Sequence, residues 1–468
     1  MRRPALVILP FLFACGDNLA SPDLPDAAPV EPTPDADVPV DAPPTPGPAS
    51  RVWIVGGIFD QRWLAGSFVE SNVDVPTLPF SAANPPPVTA PDEGFFPSWQ
   101  LPFSVSRDRI AYAGTAPGAS TIHLWSANLD GSDPVIVGRS LGARPWFLSN
   151  ATSPDGRKVD HAQRYDLYVA RTDGEGEPIR ISPPRPAAVT NPDALDVTIH
   201  IAWSPDSRYV AFTGDLTEDG VHQAYVTDVS VEAPTAVEFV TRDEVTVLAD
   251  PRGAIGAPMF DSDNRVYFRA RLTGSVELFR AVPGRDRTRI TLPARLNTTA
   301  SDAGPFTVDG STLYAAADVT DPGHYDLFSI PFAGDLFGTP TNLTRTGTRG
   351  EIDGFTPIVV SPDGTHVGFV ANYDAAGLAW EPYVVATDNS GMHRLVNALD
   401  TCPGCSQPRA LRMQWTADSS ALYLIGRLVE SSYQAYRVDA CLSDQQPQLV
   451  FEKPAPNAFS LHVIVQPL

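Results

Sequence analysis

Residues Trp203–Phe212, with the sequence WSPDSRYVAF, join a polar turn to a short apolar strand. Val360–Phe369 (VSPDGTHVGF) and Trp415–Leu424 (WTADSSALYL) have the same form. In such a turn proline presets φ at the first corner, aspartate hydrogen-bonds its own backbone, and glycine or serine tolerates the exit. The alternating apolar residues that follow predict a β-strand.

The turn recurs along the chain together with a second mark, an aromatic residue in a short strand. The turn aspartates are Asp108, Asp155, Asp206, Asp263, Asp309, Asp363 and Asp418, and the aromatic marks are Trp125, Tyr168, Tyr225, Phe279, Phe328, Tyr383 and Tyr436. Both series have a period of about 52 residues, which lies in the range of propeller repeats. Because each unit has strand patterns and frequent Gly, Pro, Asp and Ser corners, we predict an all-β propeller of four-stranded blades. The Asp155 copy lacks a clean apolar strand, which predicts a distorted second blade.

The number of blades depends on the two ends of the domain. Arg51–Val55 has the pattern of a strand one period before the first turn, and Phe459–Val465 alternates as a strand near the C-terminus. We therefore favour eight blades, with seven anchored repeats and an eighth blade that combines residues 51–80 with residues 457–468. Such a blade would pair the two ends and remove exposed strand edges. Seven blades with decorated ends is the alternative.

The turn and the strand behind it resemble the repeats of the periplasmic protein TolB and of related WD-like β-propellers. The resemblance extends from about residue 95 to residue 451. It implies a fold rather than an activity, because such propellers serve as binding platforms, as regulatory domains of oligopeptidases and as enzymes. Resemblance to TolB would imply envelope partners such as a peptidoglycan-associated lipoprotein, but the chain has no room for the α/β domain that precedes the TolB propeller.

The N-terminus predicts export and a lipid anchor. Met1–Arg3 is basic, Ala5–Phe13 is apolar, and a small residue precedes Cys15. This segment resembles a bacterial lipoprotein signal, which makes residues 1–15 the signal and Cys15 the lipidated residue. An ordinary signal peptide with an incidental cysteine is the alternative. Gly16 follows the cysteine, which by similarity to lipoprotein sorting indicates the outer membrane.

Residues 16–50 predict a disordered tether. They contain ten prolines and seven acidic residues, with neither Lys nor Arg. At about 3.1 Å per residue in polyproline geometry, the tether could hold the propeller up to roughly 100 Å from its anchor. Residues 51–468 then form a single propeller domain. The net charge of −22 disfavours nucleic acid and anionic lipid surfaces as partners.

The remaining cysteines predict one small disulfide. Cys402 and Cys405 are separated by Pro-Gly, and no helix pattern follows them as a thioredoxin-like site would require. We therefore predict a loop-stapling disulfide between them rather than a redox or metal site. Cys441 is expected to be unpaired on the opposite face.

Patterns typical of an enzyme are missing from the sequence. The chain has neither a Gly-x-Ser-x-Gly elbow nor the length for an α/β hydrolase domain. Its eight histidines occupy unlike repeat positions without His-x-His or His-Glu-x-x-His spacing, so we predict neither catalytic residues, nor a metal, nor a cofactor. Inner-strand residues such as His200 and His462 could still gather around a central channel, which leaves an enzyme acting on peptide or sugar as the alternative.

The loops between second and third strands are the predicted binding surface. They run from Asp215 to His222, from Asp318 to Tyr325 and from Asn372 to Glu381. Solvated turns are the simpler interpretation of their Asp, Gly and Pro content. Trp380 is either a lid over its blade or a binding anchor. The candidate partner-binding residues are Asp219, His324, Tyr373, Asp374 and Trp380.

Together these features predict a lipid-anchored, extracytoplasmic β-propeller that binds an envelope protein or small ligand without catalysis. The protein is expected to be a monomer that touches the membrane only through its anchor.

Overall fold

The chain separates into two units, Met1–Gly47 and Pro48–Leu468. The computed structural model describes residues 50–467 apart from gaps. These are 59–61, 71–102, 106–108, 116–121, 129–132, 138–152, 164–165, 185–196, 215, 217–222, 232–233, 235, 239–257, 272–275, 284–286, 291–302, 322–323, 335, 345–351, 353–357, 374–378, 398–408, 429–433 and 452–457. The predicted signal peptide, Cys15, the tether and the Asp108 turn lie outside the described residues.

The described residues form β-strands and connecting turns, which confirms the predicted all-β class for this part of the chain. The strands are β1 (Ser50–Ile58), β2 (Arg62–Glu70), β3 (Phe103–Val105), β4 (Arg109–Thr115), β5 (Ile122–Asn128), β6 (Val135–Ile136), β7 (Lys158–Gln163), β8 (Asp166–Arg171), β9 (Ile179–Arg180), β10 (Val197–Trp203), β11 (Tyr209–Gly214), β12 (Gln223–Asp228), β13 (Ala236–Glu238), β14 (Met259–Phe260), β15 (Val266–Arg271), β16 (Val276–Ala281), β17 (Arg287–Ile290), β18 (Ala303–Asp309), β19 (Thr312–Asp321), β20 (His324–Ala333), β21 (Leu336–Phe337), β22 (Thr341–Asn342), β23 (Val359–Val360), β24 (His366–Ala371), β25 (Glu381–Ala386), β26 (Met392–Arg394), β27 (Arg409–Trp415), β28 (Ala421–Arg427), β29 (Gln434–Asp439), β30 (Gln448–Phe451) and β31 (Ala458–Pro467). Across the same residues, no helix has the length and apolar character needed to cross a membrane.

The strands of the described residues group into eight antiparallel sheets, most of them in chain order. Sheet 1 is β3-β4-β5-β6, sheet 2 is β7-β8-β9, sheet 3 is β10-β11-β12-β13, sheet 4 is β14-β15-β16-β17, sheet 5 is β18-β19-β20-β21 with β22 also on β20, sheet 6 is β23-β24-β25-β26, sheet 7 is β27-β28-β29-β30, and the terminal sheet is β2-β1-β31. Clusters of buried apolar side chains join sheet 1 to 2, 2 to 3, 3 to 4, 4 to 5, and 5 to 6 and 7. Successive repeats therefore pack face to face.

The turn motif forms the local structure that its residues predict. In the turn of sheet 3, Ser204 Oγ donates to Asp206 Oδ1 at 2.6 Å and accepts the Tyr209 N–H at 2.8 Å. Asp206 Oδ1 also accepts the Arg208 N–H at 3.0 Å. The exit residue Ser207 has φ = 60°, a conformation that costs a non-glycine residue free energy.

Non-glycine exit residues also link neighbouring sheets. Ser207 Oγ accepts the Asp155 N–H at 3.0 Å, and Ser419 Oγ accepts the Asp363 N–H at 3.0 Å. Asn264 Nδ2 donates to Asp206 Oδ2 at 2.8 Å. Each side chain thus ties its own turn to the turn of the preceding sheet, which offsets the cost of its left-handed backbone.

This linkage predicts different effects for two substitutions of Ser419, whose φ is 64°. Ser419→Ala should lower the free energy of unfolding by about 1–2 kcal/mol, because it removes the bond to Asp363 and keeps the strained backbone. Ser419→Gly should cost less, because glycine adopts this conformation readily. Denaturant titration of both variants measures the difference, and equal losses would contradict the explanation.

In sheets 3 and 4 the turn strand and the aromatic strand meet through their rings. Phe212 stacks on Tyr225 with ring centroids 5.3 Å apart, and Phe268 stacks on Phe279 at 5.6 Å. These residues are cross-strand partners, so in these two sheets the aromatic mark packs directly on the strand that follows the turn.

The irregular apolar pattern of the strand after the Asp155 turn has a structural explanation in sheet 2. β7 pairs regularly with β8 from Lys158↔Arg171 to Gln163↔Asp166, so the predicted distortion is not seen in this pairing. Asp160 is buried and accepts a hydrogen bond from Trp203 Nε1 at 2.9 Å. The polar residue in β7 therefore serves contact with sheet 3.

The two ends of the domain meet in the terminal sheet. β1 pairs with β31 from Ser50↔Pro467 to Ile58↔Ala458, with a register shift near Gly57. β31 also contacts β27 and β28 of sheet 7. The predicted pairing of N-terminal and C-terminal strands is present, while the number of blades stays a prediction.

Candidate binding site at the start of the aromatic strands

Each aromatic strand carries a polar residue two positions before its aromatic mark. These residues are His123, Asp166, Gln223, Glu277, Asp326, Glu381 and Gln434. In six of the seven sheets the cross-strand partner is glycine or alanine: Gly114, Gly214, Ala270, Ala317, Ala371 and Gly426. A polar residue is therefore paired with a small residue where the turn strand ends and the aromatic strand begins. The predicted binding loops connect the strands at this edge.

In sheet 6 this polar residue is a buried carboxylate with a cationic partner. Glu381 is 0% exposed, and Arg394 Nη1 donates to its Oε2 at 3.0 Å. Arg394 Nε also donates to Asp444 Oδ1 of sheet 7 at 2.7 Å. Burial disfavours the guanidinium charge, but hydrogen bonds to Asp444 and Glu381 outweigh it and raise the pKa of Arg394. The result is a charged link between two sheets.

Sheets 2 and 5 satisfy their polar residues in a similar way. Asp326 accepts hydrogen bonds from Thr344 Oγ1 at 3.0 Å and Asn342 Nδ2 at 3.1 Å. Asp166 accepts one from Ser182 Oγ at 3.4 Å and lies 3.6 Å from Arg180. The partners Arg180, Asn342 and Arg394 each lie opposite the aromatic mark on the outer strand. The carboxylate and its partner therefore belong to one repeating position.

Sheets 1 and 3 differ, because their polar residues keep unbonded atoms. Gln223 is 0% exposed, and both its Oε1 and its Nε2 lack a hydrogen-bond partner among the described residues. His123 Nδ1 is likewise unpartnered there. The register positions that supply Arg or Asn elsewhere hold Glu238 in sheet 3 and Ile136 in sheet 1. A buried polar group without a bond costs about 1–3 kcal/mol, so these two positions are places where a bound group would gain most.

The structure packs Tyr373 and Trp380 against the core instead of leaving them extended. The Tyr373 ring lies 5.2 Å from that of Tyr383 and 6.2 Å from that of Phe369. Burial raises the pKa of Tyr373. Trp380 packs on the same cluster, and its carbonyl accepts the Ala410 N–H at 2.8 Å. Both side chains therefore contribute to core packing, and Trp380 fits the interpretation as a lid over its blade.

The other predicted binding residues are described only in part. His324 begins β20 at the same edge of sheet 5. Asp219 and Asp374 lie outside the described residues, as do Cys402 and Cys405. The proposed binding roles of Asp219, His324 and Asp374 stay predictions.

Cys441 corrects the cysteine prediction, because it is held in a disulfide rather than unpaired. The chain has four cysteines, so lipidation of Cys15 and a Cys402–Cys405 disulfide would leave no partner for Cys441. The turn that contains Cys441 contacts the strand that leads toward Cys402. His393 Nε2 is 2.8 Å from the Ala440 carbonyl, and the Leu395 carbonyl accepts the Gln445 N–H at 3.0 Å. A lipidated Cys15 therefore requires Cys441 to pair with Cys402 or Cys405.

Within the described part of the chain, no three His, Cys, Asp or Glu side chains lie close enough together to hold a metal ion.

Comparison with known proteins shows that the chain is similar in architecture to some solved structures, but it does not assign the chain to a family. No family model matches the chain, and no curated protein matches it. Among solved structures, one of two prolyl endopeptidases has a TM-score of 0.48 at 14% identity, covering 76% of this chain and 50% of that one. This chain thus spans about half the length of that enzyme.

Two further similar structures are propeller proteins. The β-propeller domain of the Trilobed protease from Pyrococcus furiosus has a TM-score of 0.43 at 10% identity, covering 77% of this chain and 98% of that one. A TolB-like protein from Agrobacterium tumefaciens has a TM-score of 0.36 at 13% identity, covering 70% and 92%. Similarity at this level carries no argument about activity.

Proposed function

We propose that the protein is a lipid-anchored, extracytoplasmic β-propeller that binds a protein or ligand of the cell envelope without catalysis. Its ring would contain eight blades, with the terminal sheet as the composite eighth blade. The pairing of β1 with β31 and the face-to-face packing of successive sheets support this arrangement.

One observation carries the binding role: the aromatic strands begin with a repeated set of polar side chains, of which Gln223 and His123 retain unbonded buried atoms. Buried polar atoms that lack a hydrogen bond destabilise the unliganded fold, and they gain a bond when a ligand supplies the partner. They therefore favour ligand binding at this edge. The chain segments that contain Asp219, His324 and Asp374 connect strands that begin or end at this edge, and they are the proposed contact surface. Tyr373 and Trp380 would hold their loop in place.

The anchor and tether would place this surface in the envelope. Cys15 would carry the lipid, and the Pro-rich and Asp-rich residues 16–50 would keep the propeller away from the membrane. Gly16 indicates the outer membrane by similarity to sorting of other lipoproteins. The acidic charge of the chain suits soluble surroundings on either side of that membrane.

The anchor predicts the outcome of a single substitution. Cys15→Ala should move the protein from the membrane fraction to the soluble fraction or leave an uncleaved precursor, because the lipid is the proposed source of attachment. Cell fractionation and mass spectrometry of the N-terminus measure this, with Asn18→Ala as a control that keeps the cysteine. Unchanged partitioning of Cys15→Ala would exclude the lipid anchor.

The binding role is tested by capture and by turnover. Purified protein should retain a specific partner from detergent-solubilised envelopes under crosslinking, and the crosslinked residues should lie at the proposed edge. Hydrolysis or elimination of a peptide or sugar by the purified protein, abolished by His200→Ala, would instead assign the protein to the enzymes.

A further inference from the structure

The interface between sheets 2 and 3, called the seam below, contains the buried side-chain amide of Gln223, whose hydrogen-bonding atoms are not used within the described structure. Gln223 begins β12 and shares its face with Tyr225, which packs in the apolar cluster between these sheets. Its cross-strand partner on that face is Gly214, which adds no side chain beside it. A primary amide has two donors and one acceptor oxygen, and neither polar atom of Gln223 has a partner among the described residues.

Gln434 occupies the same repeat position in sheet 7 and provides a comparison within the chain. It is 3% exposed, and its cross-strand partner is Gly426. Tyr436, two residues later, donates from its hydroxyl to Gln434 Oε1 at 3.0 Å. Gln223 is also followed by tyrosine at the same spacing, yet it makes no such bond. The repeat can therefore satisfy this amide internally, and in sheet 3 it does not.

We infer that the seam beside Gln223 is a binding subsite for a neutral primary carboxamide, such as an Asn or Gln side chain of the partner. This inference rests on the proposed binding function and names the chemistry that the site recognises.

Complementarity at the two free atoms selects the carboxamide. Another primary amide can accept from Nε2 and donate to Oε1 at once, forming two parallel hydrogen bonds. A carboxylate could accept from Nε2 but could not donate to Oε1, and it would add a charge to a buried site. A ketone would leave Oε1 unbonded. The apolar walls of the seam, Leu167, Ile181 and Tyr225 among them, make these hydrogen bonds strong by excluding water.

The first test compares two matched variants without ligand. Gln223→Met should raise the melting temperature by about 2–4 °C, because it replaces an unbonded buried amide with an apolar side chain of similar shape. Gln434→Met should lower it, because the Tyr436 hydroxyl loses its acceptor. If Gln223→Met lowers the melting temperature as Gln434→Met does, the Gln223 amide has an internal partner and the inference is overturned.

The second test uses small probes of the ligand class. Saturation-transfer NMR with millimolar propionamide should show contact with the wild type and with Gln434→Met, and at least a fivefold weaker signal with Gln223→Met. Propionate and butanone serve as charged and acceptor-only controls, and both should give weak signals throughout. Absence of a propionamide signal, or equal signals in the two variants, would mean that the site holds water only and would overturn the inference.

Capture of the envelope partner separates this inference from the broader proposal. Loss of capture by folded Gln223→Met supports both. Capture that persists in Gln223→Met refutes the subsite while the binding function stands. If the wild type captures nothing, the proposed function fails, and propionamide binding then decides the subsite alone.

Discussion

Arg394→Met is expected to lower the free energy of unfolding by about 3 kcal/mol. The guanidinium is the cationic partner of Glu381, whose side chain is fully buried. Removing one member of a buried ion pair leaves the other charge without compensation, and such losses reach about 3–5 kcal/mol. We place the expected value at the lower end because Arg394 is 24% exposed and the Tyr383 hydroxyl still donates to Glu381 at 3.4 Å.

Two controls distinguish the lost ion pair from a general effect of truncating arginine. Arg171 pairs with Asp173 on the surface, where both side chains are about half exposed, so Arg171→Met should change stability little. Adding Glu381→Gln to Arg394→Met should restore part of the loss, because a neutral amide tolerates burial better than a carboxylate. Urea denaturation of the four proteins gives these differences. A cost for Arg394→Met no larger than that for Arg171→Met would show that Glu381 does not depend on this partner.

Local turn chemistry made the repeat predictable from the sequence. The hydroxyl of a Ser or Thr two residues before the aspartate, as in Ser204 and Thr416, donates a hydrogen bond to the aspartate carboxylate. It also accepts the backbone N–H at the start of the next strand, so both contacts fall within six residues. Such contacts need no information from distant parts of the chain. The aromatic marks could also be recognised from the sequence, because each has its cross-strand partner in the adjacent turn strand of the same repeat.

The polar position in the aromatic strands was also present in the sequence but was missed. When the repeats are aligned on the aromatic mark, Asp166, Asp326 and Glu381 fall in one column, and Arg180, Asn342 and Arg394 form a second column only when the outer strands are aligned by their register. The spacing between the columns varies with the length of the turn to the outer strand, which hides their pairing until the register is known. Gln223 is then recognised as the member whose outer-strand position holds Glu238.

Packing of the loops could not be predicted, because it depends on contacts between different sheets. Tyr373 packs edge-on against the stacked rings of Phe369 and Tyr383, and its hydroxyl donates to the Tyr325 carbonyl of sheet 5 at 3.5 Å, although its neighbours in the sequence are typical of a solvated turn. Cys441 was expected on the opposite face from Cys402 by strand counting. Contacts of Ala440, Asp444 and Gln445 with residues 393–395 bring its turn beside the preceding sheet instead.

Deletion of residues 457–468 is expected to destabilise the protein by roughly 4 kcal/mol or more and to promote aggregation. β31 pairs with β1 along the whole length of β1, from Ser50 to Ile58. With a net gain of about 0.5–1.5 kcal/mol for each hydrogen bond, loss of this ladder removes several such contributions at once. It also exposes the edge of β1, and an unpaired edge strand is a template for association with other chains. Thermal melts and light scattering measure the two effects.

An equal deletion in the tether, residues 20–31, is the matched control, because those residues are predicted to lie outside the folded domain. It should leave the melting temperature unchanged. Addition of a synthetic peptide with the sequence of residues 457–468 should restore part of the stability of the truncated protein, because the peptide can refill the vacant ladder on β1. If the truncated protein melts like the full-length one, the terminal strand does not close the domain, and seven self-contained blades become the better description.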